Sequence, residues 1–466
     1  MRLVHALIFL TNLTLQASRT VGDQEIQRLP VQKHVAGFGA AICAIADVNG
    51  DAVADFLVGA PSDRQGYSKR SLSDRSRFAS RGTVWLISGQ RLEPIYGLLG
   101  TEPDCRFGSS IVTAGDLDTD GVADYLVGSP GVSPGSGRVE AFSGKSGQRL
   151  FTIAAPKDSS RFGQTLATVR SDKSSRILLV GAPGAATPGG DAGTVMAIEL
   201  SSRRELWVRK GSSAGDGFGT SISVIEEPDS ANADKLIVGA PSWRENGSGM
   251  PVGSASVCNV NTGEIVRTYA GKEDASEFGY SVLGLRDLNN DGRAEFAVGA
   301  PKGGAYQAGC VYIFSGKDGS VSRVITDPCV SDGRYKAPMR FGAYLSVSDV
   351  PSKQGGLELL VGSPEKSVGM RDSCGSGQSF TAEDGIWRRE DSWDSMELGY
   401  MCQFGYSIAN IGDLDGDKNG EVAFGAPDFG MRPGGVTIML SSRRAQAESP
   451  PVVIFPRDAW LSFVKE

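Results

Sequence analysis

Histidine is almost absent from this chain: His5 and His34 are the two histidines in 466 residues. A Ser-His-Asp site would have one possible base, and no GxSxG elbow before a helix or GxGxxG in a βαβ setting accompanies it. An enzyme is therefore not the expected class. No run approaches the roughly 18 uninterrupted apolar residues of a membrane helix, so no membrane span is expected. Apolar spacings of three and four, the mark of amphipathic helices, are missing too. Seven cysteines (Cys43, Cys105, Cys258, Cys310, Cys329, Cys374 and Cys402) include no CxxC pair, which excludes a zinc pattern and a dense disulfide framework. They read as small buried side chains with one or two bridges at most, Cys43 and Cys258 in core strands. Forty-seven basic residues against 54 acidic ones leave a net charge of -7, spread along the chain. No nucleic-acid partner is expected from that balance.

Glycine, by contrast, is abundant at 62 residues, nearly twice the usual share of about 7%. Much of it belongs to a repeat. Phe-Gly occurs at Phe38, Phe107, Phe162, Phe218, Phe278, Phe341 and Phe404, and each stretch closes on Gly-Ala-Pro or Gly-Ser-Pro at Gly59, Gly128, Gly181, Gly239, Gly299, Gly362 and Gly425. A fixed period of this length marks one supersecondary unit whose apolar faces are buried by its neighbours. Residues 1–18 run from Arg2 through an apolar middle to Ala17 and Ser18, as an export signal does. Residues 22–456 then form one repeat domain, and 457–466 a tail.

Within a copy, short runs rich in Val, Ile, Leu and aromatics alternate with Gly, Asp and Ser turns, which predicts four antiparallel strands. Seven such sheets, each too small to bury both faces, pack radially as an all-β, seven-bladed β-propeller. The Phe fills space between blades, the Gly permits close backbone approach, and the Pro ends the second strand. Two segments compete to complete blade seven, Ile26 to Leu29 and Val452 to Phe455.

Between the first two strands of four copies lies a nine-residue acidic loop with oxygen side chains at positions 1, 3, 5 and 9. These are Asp47, Asn49, Asp51 and Asp55; Asp116, Asp118, Asp120 and Asp124; Asp287, Asn289, Asp291 and Glu295; and Asp413, Asp415, Asp417 and Glu421. Calcium takes about six to eight hard oxygen ligands, and carbonyls at position 7, from Val53, Val122, Arg293 and Asn419, would add one each. An EF-hand is excluded, because its position-12 Glu is replaced by Val58, Val127, Val298 or Phe424. Asx-turns alone could explain one loop. Four loops with clustered carboxylates favour up to four calcium ions, since the acids would otherwise repel. Copies three, four and six lack the pattern and are expected to be metal-free.

At these residues the chain resembles the FG-GAP repeat family, the blades of the integrin α-subunit N-terminal propeller. The resemblance implies calcium in the hairpin loops and a binding or cell-adhesion role; a protein or glycan ligand is expected, and the export signal predicts a secreted, cell-surface or periplasmic location. A monomer or part of an extracellular assembly is expected.

Alternation of strands puts the acidic loops on one face and the variable loops after each Pro on the other. The longest variable loop, 62–81, carries Arg64, Tyr67, Lys69, Arg70, Arg75, Arg77 and Phe78; Arg with aromatics is a favoured binding composition. Trp243, Arg244 and Tyr306 share that face. The alternative is a hydrolase or lyase working through paired carboxylates in the central channel.

Overall fold

The computed structural model describes residues 35–63, 80–131, 137–156, 159–170, 176–185, 190–228, 235–333 except 248, 336–348, 357–367, 374–394 except 384–385, 402–427, 434–439 and 452–454. Within them, seven four-stranded antiparallel sheets form a ring, the seven-bladed propeller expected. Strands within a blade pair in chain order. The first strands are Ala41–Ile45, Ser110–Gly115, Thr165–Arg170, Ser221–Ile225, Ser281–Gly284, Tyr344–Ser348 and Ser407–Asn410. Each touches the first strand of both neighbouring blades, so these seven line the central channel. Burial follows from that placement. First strands are half-buried, second strands such as Asp55–Ala60 and Asp124–Ser129 are buried at every residue, and outer strands such as Ile265–Ala270 are mostly exposed.

The repeat landmarks couple neighbouring blades. All seven Phe rings are buried, with exposures of 4% or less. The Phe-Gly glycine donates its N–H to the closing glycine of its own blade, as Gly108 does to Gly128 O at 3.2 Å and Gly405 to Gly425 O at 3.0 Å. Its carbonyl faces the blade before it: a Cβ on Gly59 would sit 2.1 Å from Gly108 O, and one on Gly425 would sit 2.0 Å from Gly39 O. No side chain fits at that approach. Because Gly425 belongs to blade seven and Gly39 to blade one, the same contact shuts the ring, joined there by Ser407 Oγ donating to Gly39 O at 2.7 Å.

Three expectations need correction or completion. Val452–Ile454 pairs with Gly435–Met439 and takes the fourth place of blade seven; Ile26 to Leu29 lie outside the described residues. Cys258 is buried, but Cys43, on a channel-lining strand, is half-buried. One α-helix does occur among the described residues, Pro328–Ser331, only four residues long, with Asp327 as its N-cap accepting from Cys329 N–H. The leader 1–18, the tail 457–466 and the basic cluster Arg64, Tyr67, Lys69, Arg70, Arg75, Arg77 and Phe78 all lie outside the described residues, and no helix among the described residues is long and apolar enough to cross a membrane.

Candidate metal centres

Each acidic loop is wound by its own carboxylates. The position-1 acid bonds backbone N–H groups across the turn: Asp47 accepts from Gly50 at 2.7 Å and Ala52 at 2.7 Å, Asp116 from Asp120 at 3.1 Å and Gly121 at 3.0 Å. Asp287 and Asp413 repeat the pattern with Gly292 at 2.8 Å and Lys418 at 2.8 Å. The position-5 acid accepts from the position-7 N–H, as Asp120 does from Val122 at 2.9 Å and Asp417 from Asn419 at 2.8 Å. Positions 4 and 6 are left-handed in every loop: Gly50 and Ala52, Thr119 and Gly121, Asn290 and Gly292, Gly416 and Lys418. At these two positions each loop therefore pairs one glycine with one residue that bears the cost of positive φ.

This winding gathers carboxylates. Oxygens of Asp116, Asp118 and Asp124 lie within 4.8 Å of one another, as do those of Asp287, Asp291 and Glu295, and those of Asp413, Asp415 and Glu421. The donor set is all hard oxygen, which fits calcium. Loops one and five soften the crowding with an amide at position 3: Asn49 Nδ2 reaches Asp55 Oδ1 at 3.5 Å and Asn289 Nδ2 reaches Glu295 Oε1 at 3.2 Å.

The position-9 acid is the buried one. Asp55, Asp124, Glu295 and Glu421 are exposed by 3% or less. Burial pushes the carboxyls of Asp55, Asp124 and Glu295 up, backbone N–H donors pull them partly back, and neighbouring loop acids push them up again. Asp47 differs: burial would raise it, but four backbone N–H groups hold it below the ordinary aspartate value.

One element escaped the sequence reading. The second donor to the position-9 acid comes from the turn after the third strand: Gly89 N–H to Asp55 Oδ1 at 3.0 Å and Gly144 N–H to Asp124 Oδ1 at 3.0 Å, with Gly316 serving Glu295. A Cβ on these glycines would lie 1.9, 2.0 and 2.0 Å from the position-8 carbonyls of Ala54, Ala123 and Ala294. The signal was present as Ser-Gly after the third strand at Ser88-Gly89, Ser143-Gly144 and Ser315-Gly316. Ser88 also enters loop one, its Oγ donating to Asp51 Oδ2 at 3.3 Å.

On the opposite face, Trp243 is tied down, with Nε1 donating to Ser212 Oγ at 3.0 Å and the ring against the core of blades three and four. Arg244 Nε donates to Gly249 O at 3.2 Å. Tyr306 stands 50% exposed with φ 58°.

The FG-GAP repeat family matches residues 38–87 and 278–314. A stretch of 177 residues is 32% identical to integrin alpha-5 of Xenopus laevis, covering 36% of this chain and 16% of that protein. Over 259 residues the chain is 24% identical to integrin alpha-V of Gallus gallus, 54% of this chain and 19% of the other. Over 235 residues it is 31% identical to phosphatidylinositol-glycan-specific phospholipase D of Bos taurus, 44% of this chain and 26% of the other. The matched stretches thus span no more than about a quarter of these relatives' own length. The chain carries FG-GAP repeats and is built like the N-terminal propeller of an integrin α subunit.

Proposed function

We propose that this chain is an exported, calcium-binding propeller that acts as a binding or cell-adhesion and matrix-interaction module. The observation that carries the metal reading is the convergence of three carboxylates in each of loops two, five and seven. Asp116, Asp118, Asp120 and Asp124 would hold one ion, with Asp287, Asn289, Asp291 and Glu295, and Asp413, Asp415, Asp417 and Glu421, holding others, and Asp47, Asn49, Asp51 and Asp55 a fourth. Carbonyls of Val53, Val122, Arg293 and Asn419 would complete the sets. Bound calcium would neutralise the clustered charge and fix the hairpins, leaving the opposite face to the ligand. There Tyr306, exposed and on a rigid blade, is a better-placed contact than Trp243, which is occupied by packing.

The likeness to a phospholipase D favours a second reading, an enzyme. The carboxyls of Asp55, Asp124 and Glu295 are pushed upward. All three belong to the acidic loops, where a perturbed carboxyl marks the metal site and not a general acid in the channel. Calcium content by elemental analysis, followed by capture of matrix proteins and glycans on immobilised protein with and without calcium, tests the proposal. Four bound ions and calcium-dependent capture are expected. No bound calcium would overturn the metal reading; hydrolysis of a phospholipid or polysaccharide by the purified chain would overturn the binding-module reading.

A further inference from the structure

A small lock recurs where one blade hands over to the next. The residue two before the Phe donates its side chain to the carbonyl preceding the third-strand glycine of the earlier blade: Cys105 Sγ to Arg81 O at 3.0 Å, Ser276 Oγ to Val252 O at 3.0 Å, and Cys402 Sγ to Cys374 O at 2.9 Å. A hydroxyl or a thiol serves equally. Only the last lock has a second cysteine at the acceptor position; the other copies have Arg81, Ser136, Ala192, Val252, Ala308 and Pro433 there.

The backbone around this pair is fixed. Phe404 N–H donates to Cys374 O at 3.1 Å, and Gly375 and Phe404 form a parallel bridge. Cys374 and Cys402 therefore stand one residue out of register on adjacent chains, a Cα separation of about 6 Å from strand spacing and rise. That lies within the range a disulfide spans. Both are free thiols in the structure, are 0% exposed and share one apolar cluster with Leu360, Phe404 and Phe424.

We propose that Cys374 and Cys402 form a disulfide that staples blade six to the entry of blade seven. Two thiols lose their protons and two electrons to a disulfide oxidant such as glutathione disulfide: one thiolate attacks the oxidant and expels a thiol, and the second cysteine resolves the mixed disulfide and expels the other. Since both sulfurs are buried in the finished fold, the bond forms while the blades close. In the organism it needs an oxidising compartment and so rests on the export reading; refolding in vitro separates the two.

The test is to refold the full chain with glutathione disulfide, then denature, alkylate and map peptides by mass. The expected result is a linked Cys374 and Cys402 peptide pair two hydrogens lighter than its reduced parts, with the other cysteines alkylated. Reduction should lower the melting temperature by a few degrees. Cys402→Ser keeps the lock, as Ser276 shows, so it should fold, lose the linked pair, and melt like the reduced protein with no further response to reductant. Alkylation of both Cys374 and Cys402 after oxidative refolding, or linkage of either to a different cysteine, would overturn the proposal while leaving export untouched.

Discussion

Blades two and four have the same four strands, in matching register apart from a bulge at Thr113 to Gly115 in blade two, yet they fill the acidic-loop face in opposite ways. In blade two, Asp124 points inward and Gly144 lies against Ala123 O. In blade four the place of Asp124 is taken by Lys235 and that of Gly144 by Val260, which is 1% exposed. Lys235 Nζ bonds Glu227 Oε1 at 2.6 Å, and the other oxygen of Glu227 accepts from Ala294 N–H of the blade-five loop at 3.1 Å. Blade four thus brings its own cation; the Asp116 to Asp124 loop makes no ion pair with Lys or Arg among the described residues. Blade three sides with blade four, with Leu200 where blade two has Gly144. Blades one, two and five pair the acidic loop with a turn glycine, Gly89, Gly144 and Gly316, whereas the sequence of blade seven has Ser441 at the corresponding position; in blades three and four, where the acids are missing, apolar Leu200 and Val260 fill the glycine's volume.

The largest way to widen this difference is to remove metal. A ligand bound only to the folded state at a hundred times its Kd adds about 2.7 kcal/mol per site, so EDTA should lower the melting temperature by many degrees. Calorimetry with and without calcium checks it. An unchanged transition, with no calcium found by elemental analysis, would mean that the acids serve only as Asx-turn acceptors.

Exchanging the fillers comes next. Leu200→Ala should cost about 2–5 kcal/mol through the cavity it leaves, with the calcium count unchanged. Gly144→Val should cost about 1–3 kcal/mol through overpacking against Ala123 O and should also remove one bound calcium, because the N–H that steadies Asp124 is displaced. Denaturant melts paired with metal analysis separate the two outcomes. If Gly144→Val retains all its calcium, the pairing of loop and turn is accidental.

Acid should act in opposite directions on the two metal states. Asp55, Asp124 and Glu295 have raised carboxyls in the metal-free fold, so the folded state holds protons more firmly than the unfolded one. Their contribution is fully present below the unfolded values and is lost as pH rises through the folded ones. Metal-free protein should therefore gain stability as pH falls from neutral toward the carboxylate range. Asp47, whose carboxyl is lowered, contributes above its unfolded value and loses that contribution on further acidification. Calcium-loaded protein should lose stability over the same fall, since protons compete with the ion. Melting temperatures against pH in EDTA and in calcium should converge; parallel curves would separate the acids from metal binding.

The ring and its acidic loops were legible because they are written in contiguous residues: Phe-Gly, the alternating acids and Gly-Ala-Pro each sit within one turn or strand. What escaped was contact between turns distant in sequence. Nothing in the residues around Gly89 and Gly144 marks the carbonyls of Ala54 and Ala123, which lie 1.9 and 2.0 Å from where a Cβ would stand. Closure of blade seven was undecided for a similar reason: two apolar segments far apart in sequence could supply its fourth strand, and the pairing of Val452–Ile454 with Gly435–Met439 is a long-range contact that no local pattern records.

The finest test lies inside the loops. Loops one and seven place glycine at position 4 and a side chain at position 6, Ala52 with φ 68° and Lys418 with φ 72°. Loops two and five invert the arrangement, with Gly121 and Gly292 at position 6. Nothing lies within 4 Å of a Cβ built on Gly121 or Gly292, so the choice at position 6 is conformational and not steric. Relief of left-handed strain, offset by the entropy glycine adds to the unfolded chain, should make Ala52→Gly more stable by about 0.5–1 kcal/mol. Equal gains in EDTA and in calcium are expected if the loop is already wound before the ion arrives. A gain confined to the calcium-loaded protein would show that Ala52 is forced into positive φ by the metal, and that the hydrogen bonds of Asp47 alone do not wind the loop.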